Sequence, residues 1–347
     1  MHNPTGNPLV DVILADISEI TKRIDLGELK GKSILVTGAS GLIGTYMLAC
    51  LKNISDDISN SLELYGTVHS DLPDHYNRLF SDMGVHSMRG DLTDRSFQES
   101  LPRADYIIHS AGYAQPGRFM EDPVKTIELN TTVTISLLNK LSPGGKFLYV
   151  SSSEVYSGLT RIPYSETDIG TTNTTHTRSC YIESKRCGEA ICNAYRHEGV
   201  QAKSARLALA YGPGTRTGDR RVLNAFIEKG LRGSIVLRDA GKAKRTYCYV
   251  ADAVEVMWSI LLMGKEAVYN VGGESRTTIA DLATKIGGII GVPVVFPEQD
   301  EDIEGAPDDV LLDMSLVRRE FGKDDYIPLT KGLDRTIEWQ RALYSLP

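Results

Sequence analysis

Residues 33–44 read SILVTGASGLIG, and this stretch decides the fold of the chain. Its first five residues form an apolar, β-branched run that is typical of a strand buried in a parallel sheet. The glycines that follow recur as G-x-x-G-x-x-G and lead into an apolar stretch that is predicted to be helical through Leu51. Gly38 permits a tight turn, Gly41 lets the backbone approach a pyrophosphate, and Gly44 allows close helix–strand packing. The stretch therefore predicts a strand–turn–helix unit that holds a dinucleotide at the helix N-terminus.

The rest of the chain alternates predicted strands with predicted helices. Strand patterns occur at 62–68, before Arg89, and at 105–109, 146–150 and 206–209. This alternation predicts an α/β fold, a Rossmann-type doubly wound parallel sheet with a smaller C-terminal substrate-binding domain. The expected domains are an N-terminal extension with one helix (1–30), a dinucleotide-binding domain (31–210 plus 246–275) and a substrate-binding domain (211–245 plus 276–347). The helix of the extension is predicted over 11–24, for packing or for oligomer contact.

Composition excludes several classes of protein. The chain has 347 residues, of which 41% are hydrophobic and 24% charged, as in ordinary globular proteins. A net charge of -7 argues against non-specific binding of nucleic acid. No apolar run has the length of a membrane span and no signal pattern begins the chain, so a cytoplasmic location is expected. The five cysteines form no C-x-x-C motif and the histidines show no metal-ligand spacing, so reduced thiols and no metal are predicted.

Candidate cofactor ligands follow the predicted strands, because ligands bind at the carboxyl ends of such strands. His69 and then Asp71 follow the second strand, where an acidic side chain would favour NAD and an arginine NADP. Asp71 is equally well a loop residue, so NAD is expected and NADP is not excluded. Asp91 could receive an adenine amino group or cap a helix that starts near Thr93. The predicted cofactor-binding residues are Gly38, Ser40, Gly41, Leu42, Ile43, Gly44, His69, Asp91, Leu92, Ser110, Ala111, Tyr181 and Lys185.

Residues 180–186 read CYIESKR and place a tyrosine four residues before a lysine. On a helix these two side chains share one face. An ammonium beside a phenol favours the phenolate, so the pKa of Tyr181 is expected well below its free value of about 10. A phenol shifted in this way can take a proton from an alcohol near neutral pH. Ser152, in the SSSEVY run at 151–156, follows a predicted strand and is the expected hydroxyl partner.

These motifs, in this order, resemble the extended short-chain dehydrogenase/reductase family, which includes nucleotide-sugar epimerases and dehydratases. The resemblance runs from about Gly31 to Trp339 and rests on T-G-x-x-G-x-x-G, G-D-L, S-S-x-E-V-Y, Y-x-x-x-K and Y-G-P. Within the family, the chain looks most like the UDP-glucuronate decarboxylases, through residues 122–126, 152–156 and 180–186.

The resemblance implies an NAD(P)-dependent oxidation at C4 of a nucleotide sugar, followed by decarboxylation, with 4-epimerisation and 4,6-dehydration as alternatives. Ser152 would hydrogen-bond the reacting hydroxyl, Tyr181 would be the base, and Lys185 would lower the pKa of Tyr181 and bind the nicotinamide ribose. Glu154 would act as acid or base at carbons beyond the oxidised one. Ser153 stands where dTDP-glucose dehydratases carry an Asp, which argues against that reaction. The implied substrate-binding residues are Ser152, Ser153, Glu183, Arg221 and Arg245.

Two departures from the family pattern concern the substrate diphosphate. Leu209 replaces an expected Asn, and the acidic stretch 300–308 lacks an expected Arg. The positive charge could come instead from Arg216, Arg220, Arg221, Arg238 or Arg245. A reductase of a non-sugar alcohol or ketone shares the catalytic set, and an idle dinucleotide sensor is the third alternative. The expected partners are a nucleotide sugar and a second copy in a homodimer, with no nucleic acid and no membrane.

Overall fold

The computed structural model describes residues 5–52, 62–297 and 309–345, and its centre is a seven-stranded parallel sheet. Its strand order is β10-β6-β5-β4-β1-β2-β3, which confirms the predicted doubly wound fold. The strands are β1 Ser33–Thr37, β2 Glu63–Val68, β3 Val85–Arg89, β4 Ala104–His109, β5 Leu141–Ser152, β6 Gln201–Leu207, β7 Leu209–Tyr211, β8 Ile235–Val236, β9 Lys244–Tyr249, β10 Val268–Val271, β11 Ser275–Thr278 and β12 Val294–Val295. The chain order reverses on either side of β1, so the crevice between the ends of β1 and β4 is the expected ligand site.

Helices cover the sheet on both faces. They are α1 Pro8–Ile20, α2 Leu42–Ala49, α3 Asp74–Asp82, α4 Arg95–Ser100, α5 Pro116–Glu121, α6 Pro123–Asn130, α7 Thr132–Leu138, α8 Ser179–His197, α9 Val222–Leu231, α10 Val250–Met263, α11 Ile279–Ile290, α12 Ser315–Phe321 and α13 Leu329–Tyr344. Two short 3-10 turns lie at Gly27–Leu29 and Ser153–Tyr156. Two hydrophobic clusters fill the space between helices and sheet. Ile34 of β1 belongs to one cluster and Leu35 of β1 to the other. Successive strand residues point to opposite faces, so β1 is buried on both sides.

Smaller sheets lie outside the central one. In the first, β9 pairs in parallel with β7 and antiparallel with β11. In the second, β12 pairs with β8. The predicted strand at 206–209 is interrupted, because β6 ends at Leu207 and β7 begins at Leu209. Leu209 is half-buried in β7, whereas the acidic stretch 300–308 lies outside the described residues.

The N-terminal extension is built into the core of the chain. Helix α1 begins after Asn7, which caps it through the Leu9 amide, and ends earlier than the sequence pattern predicted. Its apolar face packs against α2, α10 and α13. Asp16 on this face is fully buried and accepts hydrogen bonds of 2.7 Å from the hydroxyls of Tyr46 and Tyr249. The apolar stripe is therefore covered by the chain's own helices, which favours the packing interpretation over oligomer contact.

Within the described ranges, no helix is long and apolar enough to cross a membrane.

Candidate active site

The glycine-rich turn has a shape that only glycine permits at two positions. Gly38 has φ 67°, and a Cβ there would lie 2.8 Å from Cα of Ala111. A Cβ on Gly44 would lie 2.3 Å from the carbonyl oxygen of Gly38. Such distances are far shorter than van der Waals contact, so the turn, α2 and the end of β4 pack too closely to admit a side chain at these two positions. The tight turn and close packing predicted for Gly38 and Gly44 are present.

The outer side of the same turn is shaped for a phosphate group. Gly41 precedes α2 and has no side chain to cap the helix, which leaves the N–H groups of Leu42 and Ile43 without a capping side chain at this position. A Cβ on Gly41 would lie 3.2 Å from the carbonyl oxygen of Gly38. Apart from neighbours in the chain, no other atom of the described residues comes within 4 Å of that position. A helix N-terminus with free N–H groups and an open approach favours an anion. These residues therefore fit the diphosphate of a dinucleotide.

Small residues at the end of β4 complete the floor beside this turn. The hydroxyl of Ser110 donates to the carbonyl oxygen of Thr37 at 2.6 Å, and the amide of Ala111 donates to Thr37 Oγ1 at 3.3 Å. These bonds tie the ends of β1 and β4 together, and both residues lie where the sequence predicted. Their small side chains leave the crevice above the sheet edge open.

The acidic cofactor candidates have partners within the chain. Asp91 accepts from the amide and hydroxyl of Thr93 and from Lys125 Nζ at 2.5 Å. Partial burial of this carboxyl group raises its pKa, but these hydrogen bonds outweigh that effect and lower the pKa to about 2. Asp91 does not cap the next helix, because α4 begins at Arg95 and is capped by Asp94.

After β2, His69 is exposed and Asp71 forms an exposed ion pair with Arg89. Leu92, by contrast, is buried in a hydrophobic cluster. Cofactor contact of these residues stays a prediction.

The predicted catalytic side chains meet where β5 ends against α8. Ser152 is the last residue of β5, and Tyr181 and Lys185 lie one turn apart on α8. Lys185 Nζ donates to the carbonyl oxygen of Val150 at 2.8 Å and lies 5.8 Å from the ring centroid of Tyr181. Ser152 lies close enough to the phenol of Tyr181 to lower its pKa. The structure thus brings the three side chains together at the sheet edge that carries the glycine-rich turn.

Burial reverses the expected direction of the tyrosine pKa. Tyr181 is 8% exposed, and burial raises its pKa to about 12, against the lowering effects of Ser152, Arg178 and Arg221. The expectation of a lowered pKa is therefore wrong for this structure. Burial also lowers the pKa of Lys185, to about 7, which removes much of its charge at neutral pH.

Glu154 is held beside this set by an ion pair that the sequence analysis missed. Arg178 Nη2 donates to Glu154 Oε1 at 2.6 Å. The Arg178 guanidinium also lies 5.6 Å from the ring centroid of Phe119, which stacks on the ring of Tyr181 at 4.5 Å. Arg178 stands three residues before Tyr181, a helical spacing that could have identified it. Phe119 is far away in sequence, and no local pattern points to it.

A buried asparagine holds the helices around the site. Asn130, at the end of α6, donates to Ser184 Oγ at 3.0 Å and accepts from the hydroxyl of Tyr149 at 3.2 Å. Ser184 lies on α8 and Tyr149 on β5, so one amide joins three elements. This network fixes how α8 presents Tyr181 and Lys185 to Ser152.

The predicted substrate-binding residues divide into two groups. Ser153 follows Ser152 in the 3-10 turn, and Arg221 is close enough for its charge to lower the pKa of Tyr181. Glu183, in contrast, pairs with Arg186 at 2.6 Å, and Arg186 in turn donates to the carbonyl oxygen of Val155. Arg245 lies on β9, in a smaller sheet, and donates to the carbonyl oxygen of its neighbour Lys244. A structural role explains Glu183 without a substrate.

A dinucleotide cradle and a Ser–Tyr–Lys set at one sheet edge define the class of NAD(P)-dependent enzymes with a short-chain dehydrogenase type of site. Residues 34–272 match the NAD dependent epimerase/dehydratase family, and the chain belongs to this family. The family description names NAD, in agreement with the cofactor expected from the sequence.

Two curated relatives are UDP-glucuronic acid decarboxylases. UDP-glucuronic acid decarboxylase 6 of Arabidopsis thaliana is 29% identical over 320 residues, which cover 90% of each chain. UDP-glucuronic acid decarboxylase 1 of Xenopus tropicalis is 27% identical over 323 residues, which cover 91% of this chain and 74% of the relative. The resemblance to these enzymes that the sequence motifs indicated is confirmed.

Solved structures with this fold include epimerases. The UDP-glucose 4-epimerase of Thermotoga maritima, solved with UDP-glucose, has a TM-score of 0.76 and 25% identity, and the match covers 89% of this chain and 98% of the epimerase. The enzyme WbmF of Bordetella bronchiseptica, solved with NAD+, has a TM-score of 0.69 and 26% identity, and the match covers 91% of this chain and 94% of that one.

Proposed function

We propose that this protein oxidises C4 of a UDP-linked uronic acid with NAD and then decarboxylates the sugar. The observation that carries the proposal is the ion pair of Glu154 with Arg178 beside Ser152 and Tyr181. A simple alcohol dehydrogenase requires only the Ser–Tyr–Lys set, whereas a reaction at a second carbon requires a further acid or base. Glu154 supplies that group, which favours sugar modification over reduction of a non-sugar ketone.

The charges around the phenol favour an anionic substrate. Arg178 and Arg221 both act on Tyr181 as positive charges, and each is paired with a carboxylate, Arg178 with Glu154 and Arg221 with Asp219. A uronic acid carries a carboxylate on C5, and its nucleotide carries a diphosphate. Such groups form strong charge-assisted hydrogen bonds with guanidinium groups.

Each polar group has a distinct role in the proposed mechanism. A dinucleotide held by the glycine-rich turn and the end of β4 would supply a reversible hydride acceptor for C4. Tyr181 Oη, once its phenol is ionised against the pKa of about 12 that burial imposes, receives the proton of the C4 hydroxyl while Ser152 Oγ holds that hydroxyl by a hydrogen bond. The C4 ketone makes the sugar a β-keto acid, so the bond from C5 to the carboxyl carbon breaks and its electron pair moves into an enolate. The carboxyl carbon leaves as carbon dioxide, and Glu154, oriented by Arg178, delivers a proton to C5 of the enolate.

The relatives support this choice of substrate, and the epimerase structure supports a second candidate. The decarboxylases of Arabidopsis and Xenopus match almost the whole chain. The Thermotoga UDP-glucose 4-epimerase shares the fold with 25% identity, so 4-epimerisation through the same C4 ketone is the alternative. The family description and the NAD+ bound to WbmF support NAD as the cofactor.

Incubation of the purified protein with NAD and UDP-glucuronate, followed by mass spectrometry, tests the proposal. Loss of carbon dioxide from the sugar nucleotide is the expected result. An unchanged mass with a new chromatographic isomer would assign the protein as a 4-epimerase instead. Net consumption of reduced cofactor with a simple ketone would assign a reductase.

The homodimer and the cytoplasmic location expected from the sequence stay predictions. Light scattering of the purified protein checks the homodimer.

A further inference from the structure

An arginine from the second half of the chain lies over the glycine-rich turn. Arg216 Nη2 donates to the carbonyl oxygen of Ser40 at 3.2 Å and to Ser40 Oγ at 2.5 Å, across 176 positions of sequence. Ser40 is buried, whereas Arg216 as a whole is exposed. The guanidinium group therefore covers the turn from its solvent side, where an incoming ligand meets it first.

The segment that carries Arg216 is held firmly in place. Trp339 Nε1 donates to the carbonyl oxygen of Thr215 at 3.1 Å, and the hydroxyl of Tyr76 donates to the carbonyl oxygen of Gly214 at 3.1 Å. Gly214 has φ 99°, and a Cβ there would lie 3.3 Å from Cδ1 of Leu42. Leu42 is the first residue of α2, so this segment passes directly against the helix N-terminus. The arginine is thus delivered to the phosphate cradle by a pre-ordered backbone.

The turn lacks a full positive charge of its own. Residues 38–44 read GASGLIG and contain neither lysine nor arginine. A diphosphate in the cradle would meet only backbone N–H groups and the partial charge of a short helix. A guanidinium has five N–H donors in a planar fork that matches phosphate oxygens, and Ser40 engages one nitrogen of Arg216.

We propose that Arg216 binds the diphosphate of the dinucleotide cofactor and closes the cradle over it. The proposal rests on the dinucleotide site of the proposed function and adds a ligand that the glycine motif does not contain. The sequence offered Arg216 for the diphosphate of the nucleotide sugar, which has the same chemistry. Its position on Ser40, between the turn and α2, assigns it to the cofactor.

Isothermal titration of the nucleotide-free, full-length chain separates the two diphosphates. The Arg216→Gln variant is expected to bind NAD with a Kd raised about tenfold, because a charge-assisted hydrogen bond at a partly exposed site is lost. Arg216→Lys keeps the positive charge but lacks the planar guanidinium, so its Kd for NAD is expected between those of the wild type and Arg216→Gln. Affinity for adenosine, which has no phosphate, and for UDP should match the wild type. Arg232→Gln, which removes an exposed arginine paired with Glu228, is the matched control and should leave NAD affinity unchanged.

Three results are decisive. A Kd for NAD within twofold of wild type in Arg216→Gln would overturn the proposal. A weakened affinity for UDP with normal affinity for NAD would overturn it too and give Arg216 to the substrate. Failure of the wild-type chain to bind NAD would refute the proposed function instead. Thermal unfolding without ligand accompanies each titration and detects a folding defect in Arg216→Gln. If that variant is misfolded, the Kd of Arg216→Lys for NAD tests the proposal in its place.

Discussion

Two buried polar clusters serve different purposes in this molecule. In the cluster around Asp16, the carboxylate receives the hydroxyls of Tyr46 and Tyr249 and an ion pair from Arg335. Burial raises the pKa of Asp16 despite these partners, and it also works against ionisation in the cluster around Tyr181. The pKa of the phenol is raised to about 12 and that of Lys185 is lowered to about 7. The Nε of Arg178 is buried without a hydrogen-bond partner among the described residues.

The difference shows which cluster supports the fold and which supports chemistry. The Asp16 cluster joins α1, α2, the end of β9 and α13, so its bonds connect distant parts of the chain. Polar groups that are buried but incompletely compensated reduce stability, and they persist where a substrate or cofactor will complete them. The two clusters are therefore expected to respond to mutation in opposite ways.

Removing the phenol oxygen of Tyr181 should have the largest effect on activity. Tyr181→Phe keeps the ring that stacks on Phe119 but cannot take a proton, so formation of reduced dinucleotide should fall about a thousandfold or more. Single-turnover measurements with UDP-glucuronate check this, and circular dichroism with urea unfolding verifies the fold. Turnover close to that of the wild type would remove Tyr181 from the mechanism.

Removing the carboxylate of the structural cluster should affect stability instead. Asp16→Ala leaves two buried tyrosine hydroxyls without their acceptor and Arg335 with Glu19 alone, so the free energy of unfolding should fall by about 3 kcal/mol. Turnover per folded molecule should stay at the wild-type level, as measured after correction for the folded fraction. Asp16→Asn keeps an acceptor for the tyrosines and is the milder control. A specific loss of turnover in either variant would contradict the division between the clusters.

Lys185 sharpens the comparison through the pH dependence of stability. Its folded pKa of about 7 lies below the unfolded value of about 10.4, so between these values only the unfolded state holds the proton. Wild-type stability should therefore rise with pH, and Lys185 should account for about 2 kcal/mol of that rise between pH 7 and pH 9. Urea unfolding of Lys185→Met should show a free energy of unfolding that lacks this rise between pH 7 and pH 9.

Lys203 is the matched control for that variant. It is also buried, donates to the carbonyl oxygen of Leu261 and has a pKa lowered by burial to about 8, but it lies outside the site. Lys203→Met should reduce the pH dependence of stability and keep turnover. Lys185→Met should reduce the pH dependence of stability and also lose turnover. Equal turnover in the two variants would show that Lys185 is only a buried lysine.

His109 gives the smallest effect, in the acidic range. Its Nε2 lies 2.9 Å from the carbonyl oxygen of Leu129, which can only accept, so Nδ1 accepts from the hydroxyl of Thr37. Burial lowers the pKa of His109 to about 4, below the unfolded value of about 6.5. The unfolded state therefore binds the proton first, and stability falls as pH decreases, by about 1 kcal/mol from pH 7 to pH 5.5. His109→Gln should lack that loss in urea titrations at the two pH values.

Much of the fold was predictable because its signals are local. The strand β1 was predicted at its observed limits, and the glycine spacing described the turn after it. The prediction of α1 had the correct element but a late start, because the pattern of apolar residues did not include the cap at Asn7 and the proline at the first turn. Tyr181 and Lys185 were also predictable, since four residues make one helical turn.

Other properties of the site depended on residues remote in sequence. The direction of the Tyr181 pKa followed from burial, to which Phe119 of another element contributes by stacking on the ring. The assignment of Arg216 changed from the substrate to the cofactor once the fold placed it on Ser40.

The sequence by itself determined the strand–turn–helix unit, the catalytic residue types and the family resemblance. Backbone conformation and helical spacing depend on neighbours within a few residues, and those neighbours are visible in the sequence. The tertiary structure alone decided the ionisation of the site, the partner of Glu154 and the placement of Arg216. Desolvation and charge interactions depend on distances in space, and folding brings together groups that the sequence keeps far apart.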